Sequence, residues 1–93
     1  MSALPQTAVP QFLRGVRVKH DAVRDRWVLL APERVLDIDA IGQAILSEID
    51  GTHSFGEIVD TLAAKYNAPR DQIAVDSGKF LSELITRRFM EAV

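Results

Sequence analysis

Cysteine is absent from the chain, which excludes disulfides, thiolate metal sites and a cysteine nucleophile. Histidine is nearly as scarce. His20 and His53 are the only two, and neither has a cluster of acids at ligand spacing, so no metal centre is expected. The glycines at 15, 42, 51, 56 and 78 never gather into a phosphate-cradling loop. The serines at 47, 54, 77 and 82 have no histidine at a recognisable offset, and so no nucleophile–base pair. No apolar run approaches the roughly 20 residues of a membrane span, and the first residues lack the basic-then-apolar order of a signal peptide. A small soluble domain of the cytoplasm is the expectation. Charge of one sign is also missing. The formal net charge is −2, so no broad basic face advertises nucleic acid or a membrane surface.

What is present suits one small globular domain: 93 residues, 47% hydrophobic and 26% charged. Residues 1–11 carry Pro5 and Pro10 among small and polar residues without periodicity, and are expected as a flexible N-terminal tail before a domain over 12–93. Val16, Val18 and His20 alternate with Arg17 and Lys19, the period of a half-buried strand. Asp21 to Asp25 is a polar hairpin turn without an Asn-Gly signal. Arg26 to Ala31 then reads as a strand that is apolar on both faces, hence central or covered on both sides. Pro32 cannot donate a ladder bond and ends it. A third strand, Arg34 to Ile38, has few residues before a helical pattern begins near Ala40. A short strand between a proline and a helix start is expected at a sheet edge, with one row of backbone groups unpaired.

Three helices follow. In the first, Ile38, Ile41, Ile45 and Ile49 recur at helical steps. Asp37 or Asp39 can cap it, Asp37 with the added support of Leu36 and Ile41 at staple spacing, and Gly51 is a natural left-handed stop. In the second, Ser54 and Glu57 form a capping box ahead of the stripe Phe55, Ile58, Val59, Leu62, Ala63 and Tyr66, with Asn67 and Pro69 at its end. The third runs from near Pro69 toward Arg88, its apolar side marked by Ile73, Phe80, Leu81, Leu84 and Ile85 and interrupted by Ser77. The pattern predicts an α+β fold, mostly α: three short antiparallel strands followed by three helices in a winged-helix-like arrangement.

Two functional readings compete. Glu33, Asp37 and Asp39 are explained by turn and capping roles, so no catalytic group stands behind an enzyme. A winged helix that reads DNA would need a cation surplus on its third helix, but Arg70, Lys79, Arg87 and Arg88 are offset by Asp71, Asp76 and Glu83. The other reading is peptide binding, in which the edge strand accepts an extended chain as an added strand. The third helix would then be partly core and partly groove wall. From periodicity alone Phe80, Leu81 and Leu84 read as core sooner than as wall.

Specific residues extend the pattern. R-G-V-R-V-K-H-D at 14–21 and W-V-L-L-A-P-E-R-V-L at 27–36 stand before D-G at 50–51, E-I-V-D-x-L-A at 57–63 and F-L-x-x-L at 80–84. In that order, from Phe12 to Met90, the set resembles the PqqD family of pyrroloquinoline quinone biosynthesis. The resemblance implies a non-catalytic peptide chaperone without cofactor or metal, one of the winged-helix-like recognition domains of pathways that modify ribosomally made peptides. It would bind the precursor peptide PqqA and present it to PqqE, the radical S-adenosylmethionine enzyme that joins a glutamate to a tyrosine in that peptide. A DNA-binding regulator is the alternative. By resemblance the peptide lies along the third strand, here Val35, Leu36, Asp37 and Ile38, and against the third helix, here Phe80, Leu81 and Leu84. Two residues depart from the family pattern: Ser77 in place of an aliphatic residue, and Arg88 in place of a helix-ending glycine. An exposed strand edge also leaves homodimerisation open.

Overall fold

The computed structural model describes residues 4–93. In chain order the elements are β1 (Pro10–Phe12), β2 (Arg17–Asp21), β3 (Arg26–Ala31), β4 (Arg34–Ile38), α1 (Ala40–Leu46), α2 (Phe55–Tyr66), α3 (Arg70–Thr86) and β5 (Met90–Ala92). β2, β3 and β4 make one antiparallel sheet in that order, while β1 and β5 make a separate two-stranded pair. This is the expected α+β arrangement with one addition, the β1–β5 pair.

β3 is central, which accounts for its apolar character on both faces. Its register sets Leu29 opposite Val18 on one side and Leu36 on the other, and Trp27 opposite Ile38. These residues face the helices, where Leu29 and Ile38 join the core with Ile45, Phe55, Val59 and Leu81. The 22–25 turn closes without Asn-Gly because aspartates do the same work. The Asp21 carboxylate accepts from the backbone N–H groups of Val23 and Arg24, and Asp25 takes the left-handed φ of 51°.

α1 is capped by Asp39, whose carboxylate accepts from Gly42 N–H at 2.7 Å. The expected staple at Asp37 does not form, because β4 pairs with β3 through Ile38 and keeps Asp37 in the strand, where it meets Arg26. The helix also ends at Leu46, earlier than a stop at Gly51 implies; Gly51 does adopt φ 80°, in the following loop. Ile41 falls outside the buried stripe, which runs through Gly42, Ile45 and Leu46. Both ends of α2 follow expectation: Glu57 N–H donates to Ser54 Oγ, Ser54 N–H donates to the Glu57 carboxylate, and Asn67 ends the helix at φ 50°, while Tyr66 at the margin of the expected stripe stays exposed.

α3 ends in a Schellman motif built on a non-glycine residue. Arg88 sits at φ 67°, Arg88 N–H donates to Ile85 O, and Phe89 N–H reaches back to Leu84 O. Leu84 and Phe89, the apolar pair that goes with this motif, are both buried. The arginine that stands in for glycine therefore does not lengthen the helix. Ser77, the other departure, is 1% exposed, and its hydroxyl donates to Ile73 O one turn back, so a polar atom enters the core already satisfied.

The expectation of a flexible segment over 1–11 meets a different arrangement, although residues 1–3 lie outside the described residues. Ala8 O and Gln6 O accept from the N–H groups of Phe55 and Gly56, two donors that the first turn of α2 leaves without helical partners. Val9 and Val93 exchange backbone bonds, and Pro10 is buried where β1 meets β5. Partners more than 40 residues away hold this segment, so local sequence carries no sign of it.

Candidate functional site

β4 forms hydrogen bonds along one side only. β3 occupies that side, and among the described residues no strand pairs its outer edge. Pro32 and Glu33 make the two-residue connection from β3, and Asp39 alone separates β4 from α1. Pairing with β3 is thus confined to five residues, leaving a ledge that can accept an extended chain. Strand alternation puts Val35 and Asp37 on the face away from the helices, with Arg34, Leu36 and Ile38 toward α3. Val35 is 65% exposed and Leu36 is half-buried. Asp37 is exposed and paired with Arg26 at 3.3 Å.

Two contacts fix β4 against α3. At the ledge's first residue, the Arg34 guanidinium donates to Arg87 O at 2.6 Å and Arg88 O at 3.3 Å, two carbonyls that the end of α3 leaves unpaired. The same guanidinium lies 4.1 Å over the Phe89 ring. At the other end, Phe80 reaches Gly42. A Cβ built there would stand 2.5 Å from Ile38 Cγ2 and 3.0 Å from Phe80 Cζ, so the glycine is what allows strand, helix start and aromatic ring to meet.

The seven residues expected at the site are therefore brought together unequally. Val35, Leu36, Asp37 and Phe80 keep surface. Leu81 and Leu84 are 0% and 1% exposed and Ile38 is buried, so these three are core and support the site from beneath. The rotation of α3 decides this: Leu81 and Leu84 enter the shared core, while Phe80 turns toward Gly42 at the start of α1.

A second feature was not anticipated. Between α1, α2 and α3 lies an apolar groove of about 520 Å³, lined by Ile41, Ala44, Leu62, Tyr66, Ile73 and Ser77 among others. Ile41 and Tyr66 form exposed walls at 69% and 55%. The sequence signal was present in both, since each was placed on a helical stripe that then proves not to be buried.

The remaining polar clusters are structural. Asp50 accepts from the N–H groups of Thr52 and His53, from the Thr52 hydroxyl and from the His53 ring, and the backbone bonds hold its carboxyl far below the usual carboxylate range. This orders the loop into α2. His20 lies against Trp27 and within 3.2 Å of Asp25. Among the described residues no three histidines, cysteines or carboxylates gather as metal ligands, and no helix is long and apolar enough to cross a membrane.

Comparison with known proteins places the fold and the sequence in one family. The family model described as Coenzyme PQQ synthesis protein D (PqqD) matches residues 26–90. A protein of Xanthomonas campestris pv. campestris (strain 8004), named PqqA binding protein, is 39% identical over 90 residues, which is 97% of this chain and 98% of the relative. A protein of the same name from Rhizobium meliloti (strain 1021) is 41% identical over 87 residues, 94% of this chain and 89% of the relative. The solution NMR structure of the PqqD truncation of Methylobacterium extorquens PqqCD, described as a functional and stand-alone recognition element for ribosomally synthesized and post-translationally modified peptides, superposes with a TM-score of 0.82 at 37% identity. It covers 97% of this chain and 96% of its own. The crystal structure of PqqD from Xanthomonas campestris gives 0.59 at 38% identity, over 92% and 96%. Fold, sequence order and relatives converge: the chain belongs to the PqqD family.

Proposed function

We infer that this chain is a non-catalytic recognition domain that binds the precursor peptide PqqA along the free edge of β4 and presents it to the radical S-adenosylmethionine enzyme PqqE in the cytoplasm. The observation that carries the reading is an unpaired strand edge held next to a partly exposed Phe80. The names of the relatives support the choice of peptide.

An unstructured precursor loses backbone entropy on docking, about 1–2 kcal/mol for each residue fixed. Adding it as a strand limits ordering to the few residues opposite β4, and each new backbone hydrogen bond returns about 0.5–1.5 kcal/mol. Phe80 and Leu36 supply apolar contact on the α3 side, and Val35 does so on the other. The domain then acts by concentration: a peptide held beside the enzyme meets it at an effective concentration on the order of mM. The same edge can seat a second copy of the chain, which peptide would displace.

DNA reading has no comparable support. α3, the recognition helix of that arrangement, exposes Arg70 and Lys79 alongside Asp71, Asp76 and Glu83, without the cation surplus that phosphate contact needs.

Amide shift mapping of labelled protein during titration with synthetic PqqA tests the reading. Shifts should concentrate on residues 34–38 and around Phe80. Val35→Pro should weaken binding by about three- to tenfold, the loss of one or so backbone bonds, with helical circular dichroism retained. Shifts confined to α2 would refute it.

A further inference from the structure

We propose that the groove between α1, α2 and α3 is a second subsite for the docked peptide, taking one bulky apolar side chain whose sequence neighbour is basic or uncharged rather than acidic. The inference rests on the ledge reading above and adds a selectivity determinant to it.

Three observations lead there. First, the groove continues the ledge. β4 passes through Asp39 directly into α1, whose Ile41 and Ala44 form one wall, and α3 supplies Phe80 beside the ledge and Ile73 and Ser77 beside the groove. Ala40 to Ala44 advances about 6 Å along the helix axis, the length of about two strand residues, so a chain leaving the edge at Ile38 reaches the groove without a detour. Second, the groove is built for an apolar guest. Its volume of about 520 Å³ is within the range of roughly 300–1,000 Å³ typical of binding clefts. The Ser77 hydroxyl on its floor is already committed to Ile73 O and asks nothing of a ligand. Ile41 and Tyr66 remain open to solvent where their helical positions would otherwise lead them to be covered. Third, the charge at the groove has one sign. Asp76 is its only charged lining residue, and its carboxylate is shared solely with the Gln72 amide at 3.0 Å among the described contacts. A carboxylate next to the inserted side chain would be repelled, and a lysine or arginine would be attracted.

The test is a double-mutant cycle with full-length protein and synthetic PqqA, in which each leucine, isoleucine, phenylalanine, tryptophan and tyrosine of the peptide is replaced in turn by alanine. Ala44→Trp fills the groove, and Ile41→Glu places a charge on its exposed wall without touching the core. Each should raise the Kd for unmodified peptide by about ten- to a hundredfold, the cost of leaving one large apolar side chain in water. One peptide alanine variant should lose affinity for the wild-type protein yet bind Ala44→Trp no worse than the unmodified peptide does. Asp76→Lys should weaken binding severalfold, most strongly at low salt, where the neighbour is basic, and leave the Kd unchanged where it is uncharged; tighter binding would show an acidic neighbour and overturn the charge argument. Amide shifts at 34–38 with no coupling at any peptide position would overturn the groove and leave the ledge standing. Shifts nowhere would overturn both. Concentration-dependent shifts of the Ile41 and Ala44 methyls without peptide would assign the groove to a second copy and overturn the proposal.

Discussion

Arg34 offers the sharpest check on how β4 is held. Its guanidinium makes two hydrogen bonds to the carbonyls that end α3 and lies over Phe89. Arg34→Met keeps most of the stem and removes all of these. The side chain is exposed, so water replaces much of what is lost. Two hydrogen bonds at a wet helix end contribute about 0.5 kcal/mol each at the low end of the usual range. The cation over the ring adds about 0.5 kcal/mol, and its place at the negative end of the helix dipole adds about 0.3–0.5 kcal/mol. The expected loss is about 2 kcal/mol. For a domain of this size that lowers the thermal midpoint by about 8–16 °C in a melt followed by circular dichroism, and urea titration reads the free-energy loss directly. Arg34→Lys keeps the charge and loses the fork, so about half the loss should remain. If Arg34→Met falls within about 0.3 kcal/mol of the parent, the contacts are cosmetic and β4 is positioned by its core residues alone. If stability falls while amide exchange at 34–38 is unchanged, the clamp stabilises α3 without holding the ledge.

Three other outcomes follow from single residues. Arg88→Gly should raise stability by about 0.5–1 kcal/mol, because the left-handed conformation at φ 67° costs an L-residue more than glycine's extra chain entropy does, while Arg88→Ala should give no such gain. Urea midpoints would show the difference between the two variants. Gly42→Ala drives a methyl group into Ile38 and Phe80, and should cost about 1–3 kcal/mol while moving the Phe80 ring resonances in NMR spectra. Asp50 has a carboxyl whose folded pKa is depressed, so the stability it contributes is present above its ordinary value of 3.8 and is lost as pH falls through the folded value. Asp50→Asn should therefore flatten the acid limb of a stability–pH curve below about pH 4, and an unchanged limb would refute the assignment.

Sequence patterns reached some parts of this molecule and missed others for physical reasons. The β2–β4 sheet and α2 were legible because their signals are local: alternation over five or six residues, a proline stop, and a capping box three residues apart. The β1–β5 pair was not, since its partners, such as Gln11 and Glu91, are 80 positions apart and each strand has three residues. Asp37 and Asp39 offered two caps for α1, and the winner was decided by how far β4 pairs with β3. At the site, spacing could place Phe80, Leu81 and Leu84 on one broad side of α3 without dividing it. The division depends on the roll of α3 against α2, where Gly78 comes close to Phe55. Ile41 and Tyr66 show the same limit from the other direction: helical periodicity identifies a stripe, and the packing of neighbours decides whether its margin is covered.

Because β1 lies against β5, the polypeptide enters and leaves this domain at one corner, with Pro10 beside Ala92. A domain joined behind Val93 would leave from the corner where Val9 and Val93 exchange backbone bonds, whereas one joined ahead of Leu4 would have to keep Gln6 and Ala8 on the first turn of α2. Either join needs enough connecting chain to spare the backbone bonds that Gln6 to Phe12 make with α2 and β5.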